Sequence, residues 1–432
     1  MHICRKWRRI VFSSQRALQV RLLFTHGTPV LKTLDCWPTL PIVVHYGGSP
    51  SLQPPTPGDE GNIIVALKHS DRVTSIRLTV TSSLLERLSA IERPFSELED
   101  LVLLSQDSVP LTLPSTFMWG SRLRRLYSTK IAVPELLALL YSSKNLVDLH
   151  LHEVLNHFDF LPEVLMNALS GMVQLRPLSL RFLSTPSYRA PPPPYGEHVV
   201  LPVLTHFKFR GNTQYLEGLV ARVDAPRLGN IEAMFFDGSI FELPEFIVFI
   251  GRIEMHNSYR RADILSSERA ISISLTQPGI PTCLKFQLFR KSLSEQLSFM
   301  ARIRILFSAF LFNVEDLRIS AERLPRLDGR HNEEWLKLIN SFTDVKWLHV
   351  SGNLSADVIC SLQRPDMQPA SALSSLHKLY IPQPGPRYAP LREAVVSFMV
   401  TRRLAGYPIV VEYERLRHIG ELLGTGTVLD QR

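Results

Sequence analysis

"NLVDLHLHEV" (residues 145–154) decides how this chain is read. Leu146, Leu149 and Leu151 follow the pattern L-x-x-L-x-L, and the alternation from Leu149 onward marks a short strand with one buried face. Asp148, His150 and His152 then fall on the opposite face, because successive side chains of a strand point to opposite sides. The preceding "VPELLALLYSSKN" (133–145) carries helical periodicity instead. A helix leading into a strand of this size cannot bury its apolar face alone, so the pattern calls for neighbours of the same kind.

The neighbours are present. The motif recurs at Val73/Ile76/Leu78, Leu98/Leu101/Leu103, Leu146/Leu149/Leu151 and Leu175/Leu178/Leu180. Looser copies are Leu123/Leu126, Leu204/Phe207/Phe209, Leu228/Ile231, Ile250/Ile253/Met255, Val314/Leu317/Ile319, Val345/Leu348/Val350 and Leu376/Leu379/Ile381. From 73 to 250 the copies start 22–29 residues apart, and the last three start 31 apart. Leucine-rich repeats run at about 20–29 residues. The copies vary in length and lack a fixed Asn or Cys after the strand. The expected fold is therefore α/β: an irregular, leucine-rich-repeat-like solenoid of parallel strands with returning helices, such as "DVICSL" (357–362). Between the copies at 250 and 314, "AISISL" (270–275) and "LKFQLF" (284–289) alternate as strands do, and fit either irregular repeats or a local hairpin.

Composition narrows the class. The 432 residues are 45% hydrophobic and 20% charged, as in ordinary globular proteins. The net charge of +8 is unevenly placed: seven basic residues and no acidic one precede Asp35, leaving 41 basic against 40 acidic residues beyond. A near-neutral body argues against a nucleic-acid partner. Cys4, Cys36, Cys283 and Cys360 are widely spaced, without metal-ligand spacing, which fits reduced thiols in a cytoplasmic or nuclear protein. No stretch reads as a membrane span or a secretory signal. The 31 prolines concentrate partly in "SPSLQPPTPG" (49–58) and "APPPPYG" (190–196), which read as extended loops. The second contains a P-P-x-Y string of the kind that WW domains accept.

The search for chemistry yields little. In "LHLHEVLNH" (149–157) the spacing H-E-x-x-x-H misses the H-E-x-x-H of a zinc helix by one residue, and outward-facing strand residues explain it better. No G-x-S-x-G elbow occurs, and "GELLGTGT" (420–427) has no strand–helix unit to cradle a phosphate. The expectation is a protein that is not an enzyme and uses no cofactor or metal. The strand positions alternating with the buried apolar residues offer a better surface. They comprise His150, His152, His206, Lys208, Arg210, Arg252, Glu254, His256, Arg318, Trp347, His349, Lys378 and Tyr380, with Asp148 and Arg181 beside them. Such a concave, basic and aromatic face suits an acidic or phosphorylated protein segment. Charge reversal at Lys208 and Arg210 is then expected to abolish client capture without unfolding the protein.

The ends of the chain add a resemblance. In "HICRKWRRIVFSS" (2–14), Ile3, Trp7 and Ile10 form one apolar helical stripe among basic residues. The segment resembles the last helix of an F-box, where a "VCRRWR" pattern stands before the substrate-binding region. "TPVLKTLDCWPTLPIVV" (28–44), "SLHKLYIPQPG" (375–385) and "LREAVVSFMVTRRLAGYPIVVEYE" (391–414) are similar to the connector, last repeat, helix and closing strand of F-box leucine-rich-repeat-like proteins of mushroom-forming fungi. The resemblance spans residues 2 to about 414. It implies a substrate-recognition subunit of a Skp–cullin–F-box ubiquitin ligase, whose F-box docks a Skp-type adaptor and whose repeats hold a client protein. Cys4, Trp7, Arg8 and Ile10 match the docking helix, while the "LPxEI"-like start of the F-box is missing, so the expectation is an F-box truncated at its N-terminus. The expected layout is an F-box remnant over 1–18, a connector with a proline-rich loop over 19–62, the repeat body over 63–414 and a tail over 415–432. The alternatives are a non-enzymatic repeat scaffold without ligase association, or residues 1–34 as an Arg-rich transit peptide.

Overall fold

The structure is a computed structural model. It describes residues 21–37, 39–47, 55–91, 93–107, 113, 122–130, 132–154, 160–183, 198–236, 243–253, 259–289, 293–322, 332–351, 355–362, 373–382 and 389–414. The expected F-box remnant lies outside them. The chain divides into two compact units, one reaching Leu183 and including Val199–Val203, the other running from Leu204.

In the N-terminal unit, strands β1 (Leu22–Phe24), β2 (Ile42–Tyr46), β3 (Val73–Val80), β4 (Asp100–Ser105), β5 (Arg125–Thr129), β6 (Asp148–Val154) and β7 (Pro177–Phe182) pair in chain order, all parallel. Between them run helices α1 (Val30–Cys36), α2 (Pro57–Leu67), α3 (Ser82–Leu88), α4 (Val133–Ser142) and α5 (Pro162–Leu169), followed by the two-residue strand β8 (Val199–Val200). Register places Phe24, Val44, Ile76, Leu101, Leu126, Leu149 and Leu178 side by side across the seven strands, none more than 2% exposed. Full burial of each such side chain contributes about 1.5–3 kcal/mol, so this ladder holds the strands in step. The segment expected as a connector (19–62) is part of this sheet, since β1 and β2 pair with one another and β2 with β3. Its expected boundary at 62 falls inside α2.

Local chemistry starts and stops these helices. Prolines stand at the first or second helical position of α2, α4 and α5, where a missing N–H costs nothing. Thr56 and Asp59 form a capping box on α2, and Asp59 also accepts from His26 Nδ1 at 3.0 Å and the Gly27 amide at 3.5 Å. The loop after β1 is thereby tied to the start of α2. Burial works against the Asp59 carboxylate, but the hydrogen bonds from Thr56, His26 and Gly27 prevail and hold its pKa at about 2. A carboxyl held below its unfolded value stabilises the fold above the unfolded pKa and loses that contribution as pH falls through the folded one. The N-terminal unit should thus lose about 2 kcal/mol from this group between roughly pH 4 and pH 2. Asp59→Ala should remove that slope, as read from urea midpoints across the window; an unchanged slope would refute the assignment.

The C-terminal unit contains β9 (His206–Gly211), α6 (Thr213–Val220), β10 (Val223–Asp224), β11 (Asn230–Phe235), α7 (Pro244–Gly251), β12 (Arg261–Ser267), β13 (Ala270–Thr276) and β14 (Cys283–Phe289). It continues with α8 (Leu293–Leu306), α9 (Ser308–Leu311), β15 (Asp316–Glu322), α10 (Asn332–Ile339), β16 (Trp347–Ser351), α11 (Ser355–Ser361), β17 (Lys378–Pro382), α12 (Ala389–Leu404) and β18 (Val410–Glu414). Its sheet order is β9-β11-β14-β13-β12-β15-β16-β17-β18, parallel except where β13 pairs with its two neighbours.

Ten of the eleven motif copies coincide with strands; the copy at Ile250/Ile253/Met255 has no strand among the described residues. Ile250 lies in α7, an apolar helix entered through Pro244, Ile253 follows that helix, and Met255 lies outside the described residues. β12, β13 and β14 form an antiparallel run, so "AISISL" and "LKFQLF" form a hairpin. Reversing direction at β13 brings β14 beside β11 and leaves β12 beside β15. The core behind these strands is aromatic: Phe286 meets Phe307 at 4.7 Å and Phe246 at 5.6 Å between ring centroids. Helix α7 has no side-chain cap of its own. Glu217 of α6 accepts the Glu245 and Phe246 amides at 2.9 and 3.0 Å instead, linking successive helices.

Candidate functional site

In both units the strand residues that alternate with the buried ladder form a second face, and they are mostly half-buried or exposed. On the C-terminal unit, register sets Lys208, Glu232, Lys285, Ser274, Asp263, Arg318, His349, Tyr380 and Glu412 in a single row crossing nine strands. Neighbours in such a row stand about 4.8 Å apart, close enough for each to pair with the next.

They do pair. Glu232 takes Lys208 Nζ at 3.0 Å and Lys285 Nζ at 3.6 Å. Asp316, one row over, gathers Arg261 Nε at 2.9 Å, Arg318 Nη2 at 3.4 Å and His349 Nε2 at 3.4 Å. The His349 and Tyr380 rings stack at 4.1 Å and 4°. Lys378 Nζ contacts Glu412 Oε1 at 2.8 Å, and this hydrogen bond raises the lysine pKa. The Arg210 guanidinium lies over the Phe236 and Phe289 rings at 4.7 and 5.4 Å. Trp347, between Asp316 and Lys378 in register, is 38% exposed and is the large aromatic side chain this face offers to solvent.

The expected basic surface is therefore a mixed one. Lys208, Arg318, His349 and Lys378 meet acidic residues that the motif did not single out, Glu232, Asp263, Asp316 and Glu412, and Arg210 meets two rings. Glu232 follows Ile231 of a recognised copy, so its place on this face could have been read from alternation. Asp263 and Lys285 could not, because their register depends on the hairpin. His206 is exposed and bonded through its two ring nitrogens to Thr205 Oγ1 and Asn230 Nδ2, each at 2.9 Å.

Two expected positions are corrected. Arg252 follows the last residue of α7 and stands at its C-cap, in a turn and not in a strand, because the helix runs up to Gly251. His152 shares a face with His150 but is only 7% exposed. Its Nδ1 is hydrogen-bonded to the Tyr127 hydroxyl at 2.7 Å and its Nε2 to Ser179 Oγ at 3.2 Å. A bulge between Leu151 and Val154, with Glu153 at φ 54°, turns the strand there. His150 stays on the surface, with Nε2 on Asp148 Oδ1 at 2.7 Å. Arg181 is half-buried on the neighbouring strand β7. Cys4, Trp7, Arg8, Ile10, Glu254 and His256 lie outside the described residues.

On the same face of the N-terminal unit, Asp100 is nearly buried and accepts from Ser75 Oγ at 3.1 Å, Arg77 Nη2 at 2.9 Å and Arg125 Nη2 at 3.1 Å. Among the described residues no group of three His, Cys, Asp or Glu side chains could hold a metal ion, and no helix is long and apolar enough to cross a membrane.

No family model matches the chain, and no curated protein matches it.

Proposed function

We propose that the chain is a non-catalytic protein-interaction module, a leucine-rich-repeat-like array whose second sheet face in the C-terminal unit receives a client polypeptide. The observation that carries this reading is the row from Lys208 to Glu412, which offers charges of both signs and stacked rings across nine strands, beside an exposed Trp347. Fixed, mutually paired charges orient a partner and reject wrong ones more than they add affinity, while a desolvated tryptophan supplies binding energy. Because Lys208, Lys285, Arg318 and Lys378 already have anions, the preferred client presents both signs of charge. A purely acidic or phosphorylated segment would have to displace Glu232, Asp316 and Glu412.

The assignment to a Skp–cullin–F-box ubiquitin ligase rests on the resemblance of residues 2–14 to the end of an F-box. Mixing the purified full chain with a purified fungal Skp-type adaptor tests it by calorimetry. Binding that is lost on Trp7→Ala supports the ligase adaptor. No heat of binding would leave a repeat scaffold without ligase association.

The sequence expectation that reversing Lys208 and Arg210 abolishes capture without unfolding also changes meaning. Lys208→Glu sets a carboxylate opposite Glu232, and Arg210→Glu removes the cation from two aromatic rings, so both perturb the sheet as well as the surface. Met234, between Arg210 and Gln287 in the same register, gives a cleaner probe. Met234→Arg should weaken client binding with its thermal midpoint kept within a few degrees.

A further inference from the structure

Among the described residues, β18 pairs with β17 and with no other strand. The Val410 amide donates to the His377 carbonyl at 2.9 Å, so Val410, Glu412 and Glu414 turn their backbone groups toward β17. The amides and carbonyls of Val411 and Tyr413 therefore point to the open edge, where no described residue meets them. Their side chains share a sheet side with Leu379 and Ile381, which are 0% and 1% exposed, yet Tyr413 is 51% exposed and Val411 half-buried.

Helix α12 is uncovered as well. It packs on α11 and buries Leu391, Val395 and Phe398, but leaves Val396, Met399, Val400 and Leu404 at 53%, 37%, 53% and 84%. These four stand at i, i+3, i+4 and i+8, one apolar stripe of the kind that buries against another helix.

We propose that a second copy of the chain covers both features, in a two-fold dimer that joins β18 to β18 and α12 to α12. An antiparallel pairing about an axis through Val411 bonds the outward groups of Val411 to those of Val411 in the other copy, and those of Tyr413 to Ile409. The apolar side chains of all three lie on the helix side by alternation. Glu412 then stands opposite Val410, so no two carboxylates face one another and the ion pair with Lys378 is kept.

The helices fit the same axis. As the crossover between parallel β17 and β18, α12 packs on the sheet beside those strands. Across the joined edge the two α12 axes are separated by two strand spacings, about 10 Å. Packed helices stand about 8–10 Å apart, so the two stripes meet. Their ends are complementary in charge. Exposed Glu393 lies one turn before Val396, and exposed Arg403 one turn after Met399. Antiparallel seating brings each Glu393 toward Arg403 of the other copy.

Sedimentation equilibrium of the purified full chain tests the proposal, and the expected mass is that of two chains. Val411→Pro removes an outward N–H and spares the ladder to β17; Val400→Glu sets a carboxylate in the stripe at an exposed position. Each should give monomer, with the thermal midpoint kept within a few degrees. Glu393→Arg and Arg403→Glu should each raise the dimer Kd about fivefold, and the two together should restore it. A monomeric wild-type chain would overturn the proposal, as would a dimer that survives Val411→Pro and Val400→Glu. Failure of the double charge swap to restore affinity would overturn the antiparallel seating.

Discussion

Phe286→Ala should destabilise the C-terminal unit by about 3–5 kcal/mol, the range for removing a buried aromatic side chain. Phe286 is fully buried in β14, with Phe307 and Phe246 against its ring. The strand belongs to the antiparallel hairpin, and its other face carries Lys285 and Gln287. The void left by alanine would therefore lie directly behind the row of charges. Urea unfolding followed by far-UV dichroism measures the shift, with Phe286→Leu as the milder comparison at about 1–1.5 kcal/mol. A loss below about 1 kcal/mol would mean that the hairpin is not built into the core as described.

Trp347→Ala should act in the opposite way, on affinity and not on folding. Trp347 is half out of the sheet at 38% exposure, flanked in register by Asp316 and Lys378. Truncating a tryptophan at the centre of an interface removes about 2–4 kcal/mol, or roughly 30-fold or more in Kd. Its removal from the free protein should change stability by less than about 1 kcal/mol. Titration against the captured client and thermal unfolding of the free chain separate the two effects. Equal affinity for the two proteins would take Trp347 out of the interface.

These two residues also show what a sequence of this kind makes legible. Strand positions announced themselves wherever alternation was bounded by a helix of different period, as at Leu149 and Leu151. At Ile250 the first apolar residue of the motif closes an eight-residue helix, because a single apolar position does not tell a strand from a short helix. The hairpin at 261–289 could be read as alternation, but its antiparallel order could not. Order is set by which strand edges remain open, a long-range property of the folded sheet. The face was foreseen in most of its basic and aromatic residues and in Asp148, and missed in Glu232, Asp263, Asp316 and Glu412. Asp316 illustrates why: nothing local to "NVEDLRIS" (313–320) says that Arg261, distant in sequence, will stand next to it. His152 erred for another reason, since alternation gives the side of a strand but not how closely Tyr127 and Ser179 close over it.

The central claim is that the second face of the C-terminal sheet holds the client, and site-specific photo-cross-linking tests it most directly. A photoreactive amino acid would be placed at Lys208, Met234 or His349 on that face, and at Val248 or Ile305 on exposed helix positions, in the full chain expressed in its own cells. The account predicts one discrete cross-linked partner from the three face positions, lost in the Trp347→Ala background, and none from the helix positions. Cross-links arising from Val248 or Ile305 while the face positions stay silent would contradict it.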